Sequence, residues 1–223
     1  MIEKTFNGNS APNEILVNFP ENLSGYSDDE KCKIISEAAE NFMNSGSQTD
    51  LIHAQSILVY ATQHFFNVEN QNSKALVYYR LGKLYEFYQK DYVKAYTAYK
   101  KYELNNTEYS GVHSILLRVI LLRDNFVYSE EAEKELKLSY GETDLGLRSD
   151  RIYENIGSLI VARKENNTDL SEKLIKRIQA IVKADRLFFL DAVFKKDSVP
   201  DSLNPPQKLL DFVNGLESEK PKE

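Results

Sequence analysis

The hydrophobic residues of this chain recur with the period of an α-helix, most clearly between Ala75 and Tyr102. The first half of that stretch places apolar and aromatic residues at i, i+3, i+4 and i+7, which lines one face of a helix. The second half repeats the pattern with alanines and tyrosines. The stretch therefore predicts two helices folded back on each other, over about residues 73–90 and 92–104. The apolar face of the first helix holds Tyr78, Leu81, Leu84, Tyr85 and Tyr88, and its opposite side holds Lys83, Glu86 and Lys90.

Two further helices are predicted before this pair. Ser27 with Glu30 three residues later is the signature of a capping box, and Gly46 predicts where the helix that begins there ends. Ser47 to Asp50 repeats the start signal, and a second helix should continue from Leu51 to Phe66. Both helices carry apolar residues at helical spacing, so we expect each to bury one face.

The first 25 residues are rich in Asn, Gly, Ser and Pro, and we expect them to be extended or disordered. The apolar run Glu14–Phe19 is the exception. It fits either a strand or a segment packed along a helix surface, and we favour the segment because no partner strand is evident.

The second half of the chain continues the same plan. The stretch Thr107–Arg123 is apolar nearly all round, which predicts a central, buried helix. Ser129 should begin the next helix, and Gly141 should end it. Further helices are expected from Ser149 and from Thr168, which we expect to be an N-cap. The last of these should bury Leu170, Leu174, Ile178, Ile181 and Val182.

A different pattern follows Ala184. A dense apolar helix is predicted around Phe188, Phe189 and Phe194, followed by a Pro-rich linker. Pro205 and Pro206 then favour the start of a short helix that Gly215 should end. The predicted organisation is an N-terminal segment over 1–25, a helical-repeat domain over 26–197, a linker and short helix over 198–216, and a disordered tail over 217–223.

One part of the central stretch resembles a known repeat family. Tyr78, Leu81, Gly82 and Tyr85, followed by an Ala-x3-aromatic motif at Ala95 and Tyr99, resemble the tetratricopeptide repeat. The resemblance covers one repeat, about residues 73–107. It differs from the family pattern at the turn, where Gln89 or Lys90 stands in place of glycine. Gly82 costs about 1 kcal/mol in a helix, which is compensated if another backbone must come close.

The resemblance implies both a fold and a surface. The fold would be all-α, with antiparallel helix pairs stacked as a short α-solenoid or closed into a compact bundle. The first helix of the repeat would line a partner-binding groove. The groove positions that the resemblance implies are Leu76, Tyr79, Lys83 and Glu86.

Composition narrows the class of protein. The chain has 223 residues, 42% of them hydrophobic and 28% charged, with a net charge of −6, as expected for a globular protein. An acidic chain without a basic stripe is a poor candidate for nucleic-acid binding. The chain has neither an apolar run of about 20 residues nor a signal-like N-terminus, and it has one cysteine. We therefore expect a cytoplasmic protein without a transmembrane segment.

Candidate catalytic and metal-binding residues are few. His53 and His64 are separated by about 16 Å along one helix, too far to share a metal. Asp50 and His53 have ligand spacing, but no second such pair exists, so we expect no metal site and a hydrogen-bonded helix histidine. Cys32 is expected to be structural. The sequence lacks phosphate-binding glycine motifs, nucleophile elbows and zinc motifs, so we expect neither a catalytic residue nor a cofactor.

Tyrosine is concentrated in one region, with nine of the fourteen tyrosines between Tyr78 and Tyr109. They serve either as packing residues or as a peptide-binding wall, and packing is the more common role. The C-terminal helix with Phe188, Phe189 and Phe194 is either a cap for the last helix pair or a docking helix for a partner or membrane. We expect a cap.

These observations predict a noncatalytic interaction module: an adaptor, scaffold or chaperone that binds a protein partner. Loosely repeated helix pairs also suit an accessory subunit of a larger complex, for example a secretion or trafficking assembly. One alternative is an enzyme on a helical-bundle scaffold, which predicts acids converging with His53, His64 or His113. Another is a homo-oligomeric structural protein whose C-terminal helix packs against its own copy.

Overall fold

The computed structural model describes residues 23–64, 71–106, 111–140, 150–193 and 206–218, and for residues 150, 185–193 and 217–218 it describes the helical backbone alone. These residues form α-helices and one π-helical turn and include no β-strand, which confirms the all-α prediction. The helices are α1 (Asp28–Ser45), α2 (Gln48–His64), α3 (Gln71–Lys83), the π turn (Leu84–Tyr88), α4 (Tyr92–Asn105), α5 (Val112–Arg123), α6 (Glu130–Ser139), α7 (Asp150–Lys164), α8 (Thr168–Val193) and α9 (Gln207–Ser218).

The chain divides into two compact units, Met1–Glu108 and Tyr109–Glu223. The residues 26–197 that the sequence groups into one domain fall in both units. Within each unit, consecutive helices pack as pairs, and the short loops between partners make each pair antiparallel. The predicted arrangement of helix pairs is thus confirmed at the level of neighbouring helices.

In the first unit, α1 packs on α2 and α3 packs on α4, while α3 also contacts α1 and α2. The central pair predicted from the sequence is therefore confirmed. Alanines allow close approach of the helices, and larger aliphatic and aromatic side chains fill the space between them. The fully buried members of this core include Ile35, Met43, Ile57, Leu58, Leu84 and Tyr99.

The predicted start signals act as expected at the first two helices. The Glu30 N–H donates to the Ser27 side chain and the Ser27 N–H donates to the Glu30 carboxylate, which together make the capping box. Gly46 follows α1 with a left-handed φ of 70°, where glycine has no Cβ to strain the backbone. The Asp50 N–H donates to the Ser47 hydroxyl over 3.1 Å, which caps α2.

The end of α3 differs from a regular α-helix. The helix widens into the π turn, and the Gln89 N–H reaches the Leu84 carbonyl over 3.1 Å. Lys90 then adopts a left-handed φ of 55°, at the turn where the family pattern has glycine. A wider turn changes the direction of the side chains within it and after it. Glu86, expected on the polar side, is accordingly buried with 3% exposure.

In the second unit, α5 packs on α6 and α7, α7 also packs on α6 and α8, and α9 contacts α8. The prediction that α5 is a central buried helix is confirmed, because all but one of its aliphatic residues are buried and only Ile115 is half-exposed. Ser129 caps α6 through the Ala132 N–H, as expected.

Several predictions for the last helices are wrong in detail. Asn167, not Thr168, caps α8, because its side-chain oxygen accepts from the Leu170 N–H over 3.1 Å. Leu170 is 41% exposed because it lies in the first turn of α8, while Leu174 and Ile178 are buried. The helix does not change at Ala184 but runs on to Val193. Gly215 lies inside α9, which continues to Ser218 because a helix tolerates one glycine.

Some predictions concern residues outside the described ranges. They are the run Glu14–Phe19, the helix end at Phe66, the stop at Gly141, the start at Ser149, Phe194, most of the linker over 198–206 and the tail beyond 218. At the edge of the N-terminal segment, Leu23 is buried and accepts a hydrogen bond from the Tyr26 N–H. Across the described residues, none of the helices combines the length and the apolar character that crossing a bilayer requires.

Candidate functional site

The candidate site lies on α3 and the π turn, where the family resemblance places a partner-binding surface. Leu76, Tyr79 and Lys83 are half-exposed on α3. Glu86 is buried and faces α4 instead. The structure thus leaves three of the four predicted residues accessible to a partner.

Tyr79 is the aromatic centre of this surface. Its ring centroid lies 5.3 Å from that of Tyr102 and 6.2 Å from that of Tyr99, with the rings tilted. The guanidinium of Arg80 and the ammonium of Lys83 lie 5.8 Å and 5.9 Å from the Tyr79 centroid, within the range of cation–π attraction. Packing on two α4 side chains that are themselves buried holds the Tyr79 ring in place.

A carboxylate from α1 neutralises much of the positive charge around Tyr79. Both terminal nitrogens of Arg80 bind the Glu40 carboxylate, each over 2.5 Å, and so form a bidentate ion pair. Lys83 lies further from the same carboxylate, at 3.6 Å. The Arg80–Glu40 pair ties α1 to α3, and Lys83 is the more loosely held cation.

The environment of Lys83 disfavours its charged form. Burial lowers the pKa of Lys83, and the neighbouring Arg80 charge lowers it further, against the opposing effects of Glu40 and Glu86. An additional anion near Lys83 would therefore be stabilising.

Beneath the surface, Glu86 and Tyr99 form a buried hydrogen bond. The Tyr99 hydroxyl donates to the Glu86 carboxylate over 2.9 Å, and Tyr99 has no exposed surface. A Cβ on Gly82 would lie 2.5–2.8 Å from three atoms of the Tyr99 ring. Gly82 therefore makes room for an aromatic ring and not, as expected, for a second backbone.

The same carboxylate affects groups around the π turn. Burial raises the pKa of Tyr92, and the negative charge of Glu86 adds to that effect. Burial also lowers the pKa of Lys90, which Glu86 partly opposes. Glu86 thus lies buried at the α3–α4 turn beside Tyr99, Tyr92 and Lys90, a position that its place on the polar side of the sequence pattern did not indicate.

The three histidines have different surroundings. His53 is buried, with its ring edge-on to Phe42 at 5.4 Å and one nitrogen 3.8 Å from Asp50. Neither of its ring nitrogens has a hydrogen-bond partner among the described residues, so the prediction that His53 is hydrogen-bonded is wrong. His64 is exposed and lies against Tyr60, 4.2 Å between centroids.

His113 forms a pair that the sequence did not reveal. Its Nδ1 lies 2.7 Å from a carboxylate oxygen of Glu135, whose side chain is 3% exposed. The two residues lie on α5 and α6 and are 22 positions apart, so no local spacing could indicate the contact. A buried carboxylate at Nδ1 fixes the orientation of an imidazole, a feature of many catalytic histidines.

The remaining predicted residues add little chemistry. Cys32 is buried, and burial raises the pKa of its thiol to about 11, so the thiolate is scarce at neutral pH. Phe188 and Phe189 lie on the α8 backbone, with side chains outside those described, and Phe194 lies outside the described residues.

Comparison with protein-family models, with curated proteins and with solved structures finds no match to this chain.

Proposed function

We propose that the protein is a noncatalytic interaction module of the tetratricopeptide-like type, an adaptor, scaffold or chaperone that binds a protein partner in the cytoplasm. The proposal includes a role as an accessory subunit of a larger complex, such as a secretion or trafficking assembly. The observation that carries it is the half-exposed Tyr79 ring, held by Tyr99 and Tyr102 beside the loosely paired Lys83.

An ordered aromatic side chain is well suited to binding. Tyrosine is enriched among the residues that contribute most to the affinity of protein interfaces. Association costs free energy when it immobilises side chains, and that cost is smaller for a ring that is already packed. Tyr79 meets both conditions, because its ring is held by α4 while part of it remains exposed.

A capture experiment tests this proposal. The intact chain, Tyr79→Ala and Lys83→Met are used separately to capture partners from native lysate. Methionine is chosen because Lys83→Glu would place a second carboxylate beside Glu40. We expect the intact chain to capture a partner protein. Each variant should capture at least about tenfold less of it, which is the size of effect that loss of a hot-spot residue has on binding.

Tyr60→Ala is the matched control, because Tyr60 is a half-exposed tyrosine on α2 of the same unit. Circular dichroism should show unchanged helicity in all variants. If Tyr60→Ala reduces capture as much as Tyr79→Ala does, the assigned surface is contradicted. Equal capture by all chains would contradict it too.

The His113–Glu135 pair favours one other function, that of an enzyme using His113 as a general base. If the protein is an interaction module, the purified chain should not turn over ester, peptide or phosphoester substrates. Turnover that His113→Gln abolishes, with the fold intact by circular dichroism, would favour the enzyme instead.

A further inference from the structure

The last helix, α9, makes an aromatic contact and a hydrogen bond near the end of α5, and its own aliphatic side chains are buried. The Phe212 ring stacks on Phe126, with 4.7 Å between centroids and an interplanar angle of 29°. The Lys208 ammonium donates to the Leu122 carbonyl over 3.0 Å, in the last turn of α5, where carbonyls lack partners within the helix. The aliphatic side chains of α9 are buried at Leu209, Val213 and Leu216.

The turn that receives α9 has an unusual backbone. After α5, Asn125 and Phe126 have φ values of 54° and 60°, in the left-handed region. Asparagine tolerates this region, but for a bulky residue such as phenylalanine it is a strained conformation that the surrounding structure must maintain. The N–H of Phe126 reaches the Leu121 carbonyl over 2.8 Å, which closes the turn.

Docking of α9 and the conformation of this turn depend on each other. The left-handed turn directs Phe126 inward, where it is 7% exposed and stacks on Phe212. Without α9, that stacking would be lost and the strain would remain. The turn therefore gains its stability partly from α9, and α9 gains its aromatic contact from the turn.

The helix itself is short, with 12 residues. A helix of fewer than about 12–15 residues is marginal in water, so the helical form of α9 depends on its docking. Segments that rely on a few tertiary contacts open at lower free energy than the central helices of a protein. The α7 helix, whose apolar face is buried against three neighbouring helices, provides the comparison within the same unit.

We propose that α9 is a releasable strap. When docked, it holds the turn Asp124–Val127 in its left-handed form and covers Phe126. When released, the turn relaxes, and Phe126 and the carbonyl end of α5 become accessible. Release and docking of α9 thus control whether Phe126 and the last carbonyl groups of α5 are covered.

Native-state hydrogen exchange on the full chain tests the strap. The reporter amides are those of Val213 and Leu216 in α9, Phe126 and Val127 in the turn, and Ile156 in α7. We expect the α9 and turn amides to exchange together, at least about tenfold faster than the Ile156 amide, because they open without global unfolding.

Two substitutions with opposite effects test the coupling. Phe212→Ala removes the stacked ring and should speed exchange of both the α9 and the turn amides. Asn125→Gly removes backbone strain at a left-handed position without changing α9, and it should slow exchange of both the α9 amides and the turn amides. Asn214→Gln, at an exposed position of α9, is the control and should change neither.

Two results would overturn the proposal. Exchange of the α9 amides only at the rate of the Ile156 amide would show that α9 opens solely by global unfolding. A change of α9 exchange in Phe212→Ala or Asn125→Gly that leaves the Phe126 and Val127 amides unaffected would show that helix and turn are uncoupled.

Discussion

Gly82 and Tyr99 lie opposite each other in the α3–α4 pair, and the ring of one occupies the space that a side chain on the other would need. Tyr99 is further held by its hydrogen bond to Glu86. The ring is fully buried, so it has little room to move away from an added methyl group. This contact fixes the spacing of the two helices that carry the candidate surface.

We predict that Gly82→Ala lowers the free energy of unfolding by about 1–3 kcal/mol, as overpacking does. Alanine is the better helix former by about 1 kcal/mol, so a net loss isolates the steric effect. Denaturant unfolding measures it. In the double variant Gly82→Ala/Tyr99→Leu, the free energy of unfolding should fall by less than the sum of the falls in the two single variants. A stability equal to or above that of the intact protein would contradict the close packing.

Glu133 on α6 provides a pH-dependent prediction. Hydrogen bonds from Lys137 (2.6 Å) and from the Tyr128 hydroxyl (2.7 Å) hold the pKa of Glu133 at about 2, below its ordinary 4.5. A depressed pKa stabilises the fold above pH 4.5, and that contribution is lost as pH falls towards 2.

The carboxyl carbon shift of Glu133, followed by NMR against pH, should therefore titrate near 2. Lys137→Ala should raise the midpoint towards 4.5. Lys134→Ala, at an exposed neighbouring position, should leave it unchanged. A midpoint near 4.5 in the intact protein would show that the two hydrogen bonds do not persist in solution.

At the residue scale, the sequence predicted packed positions better than polar ones. Tyr78, Leu81 and Tyr85 are buried as their spacing indicated. The burial of Glu86 could not be predicted, because it depends on the π turn and on a tyrosine 13 positions away. The His113–Glu135 pair likewise depends on how α5 packs against α6, which no local pattern encodes.

At the scale of elements, helix starts were predicted well where a side chain satisfies the first free N–H groups. Ser27, Ser47 and Ser129 all act in this way. The start of α8 was displaced by one residue because Asn167 and Thr168 are both good capping residues, and only the structure shows which one bonds. The π turn had no sequence signal, since its residues have ordinary helical preferences.

The cap of α1 offers a test at this scale. Ser27→Ala removes the side chain that accepts the Glu30 N–H and should lower the free energy of unfolding by about 1 kcal/mol. Thermal unfolding measures the loss. Ser27→Asp, which retains an acceptor, should recover most of it. Equal stability of Ser27→Ala and the intact protein would contradict a functional capping box.

At the scale of the whole molecule, the chain contains two compact units, each with its own buried residues. The boundary near residue 108 was not predicted, because helical periodicity continues through both units. Periodicity reports which face of a helix is buried, but not which helices share a core.

Two cores imply that a core substitution acts mainly within its own unit. Tyr99→Phe removes the hydrogen bond to Glu86 and should cost about 1.5–3 kcal/mol, as expected for a bond to a charged group. Hydrogen exchange should accelerate for amides of α1 to α4 and not for those of α5 and α7. Equal acceleration in both units would show that the molecule unfolds as one cooperative body.

The proposed function requires that Tyr79 contacts a protein partner, a claim that site-specific photo-crosslinking can test. A photoreactive phenylalanine replaces Tyr79 in the full chain, and in a second chain it replaces Val93, which is 63% exposed on α4. After irradiation in native lysate, we predict that the chain with the probe at position 79 forms one discrete crosslinked adduct. The chain with the probe at position 93 should form no adduct of the same mass. No adduct at position 79, or the same adducts from both positions, would contradict the claim.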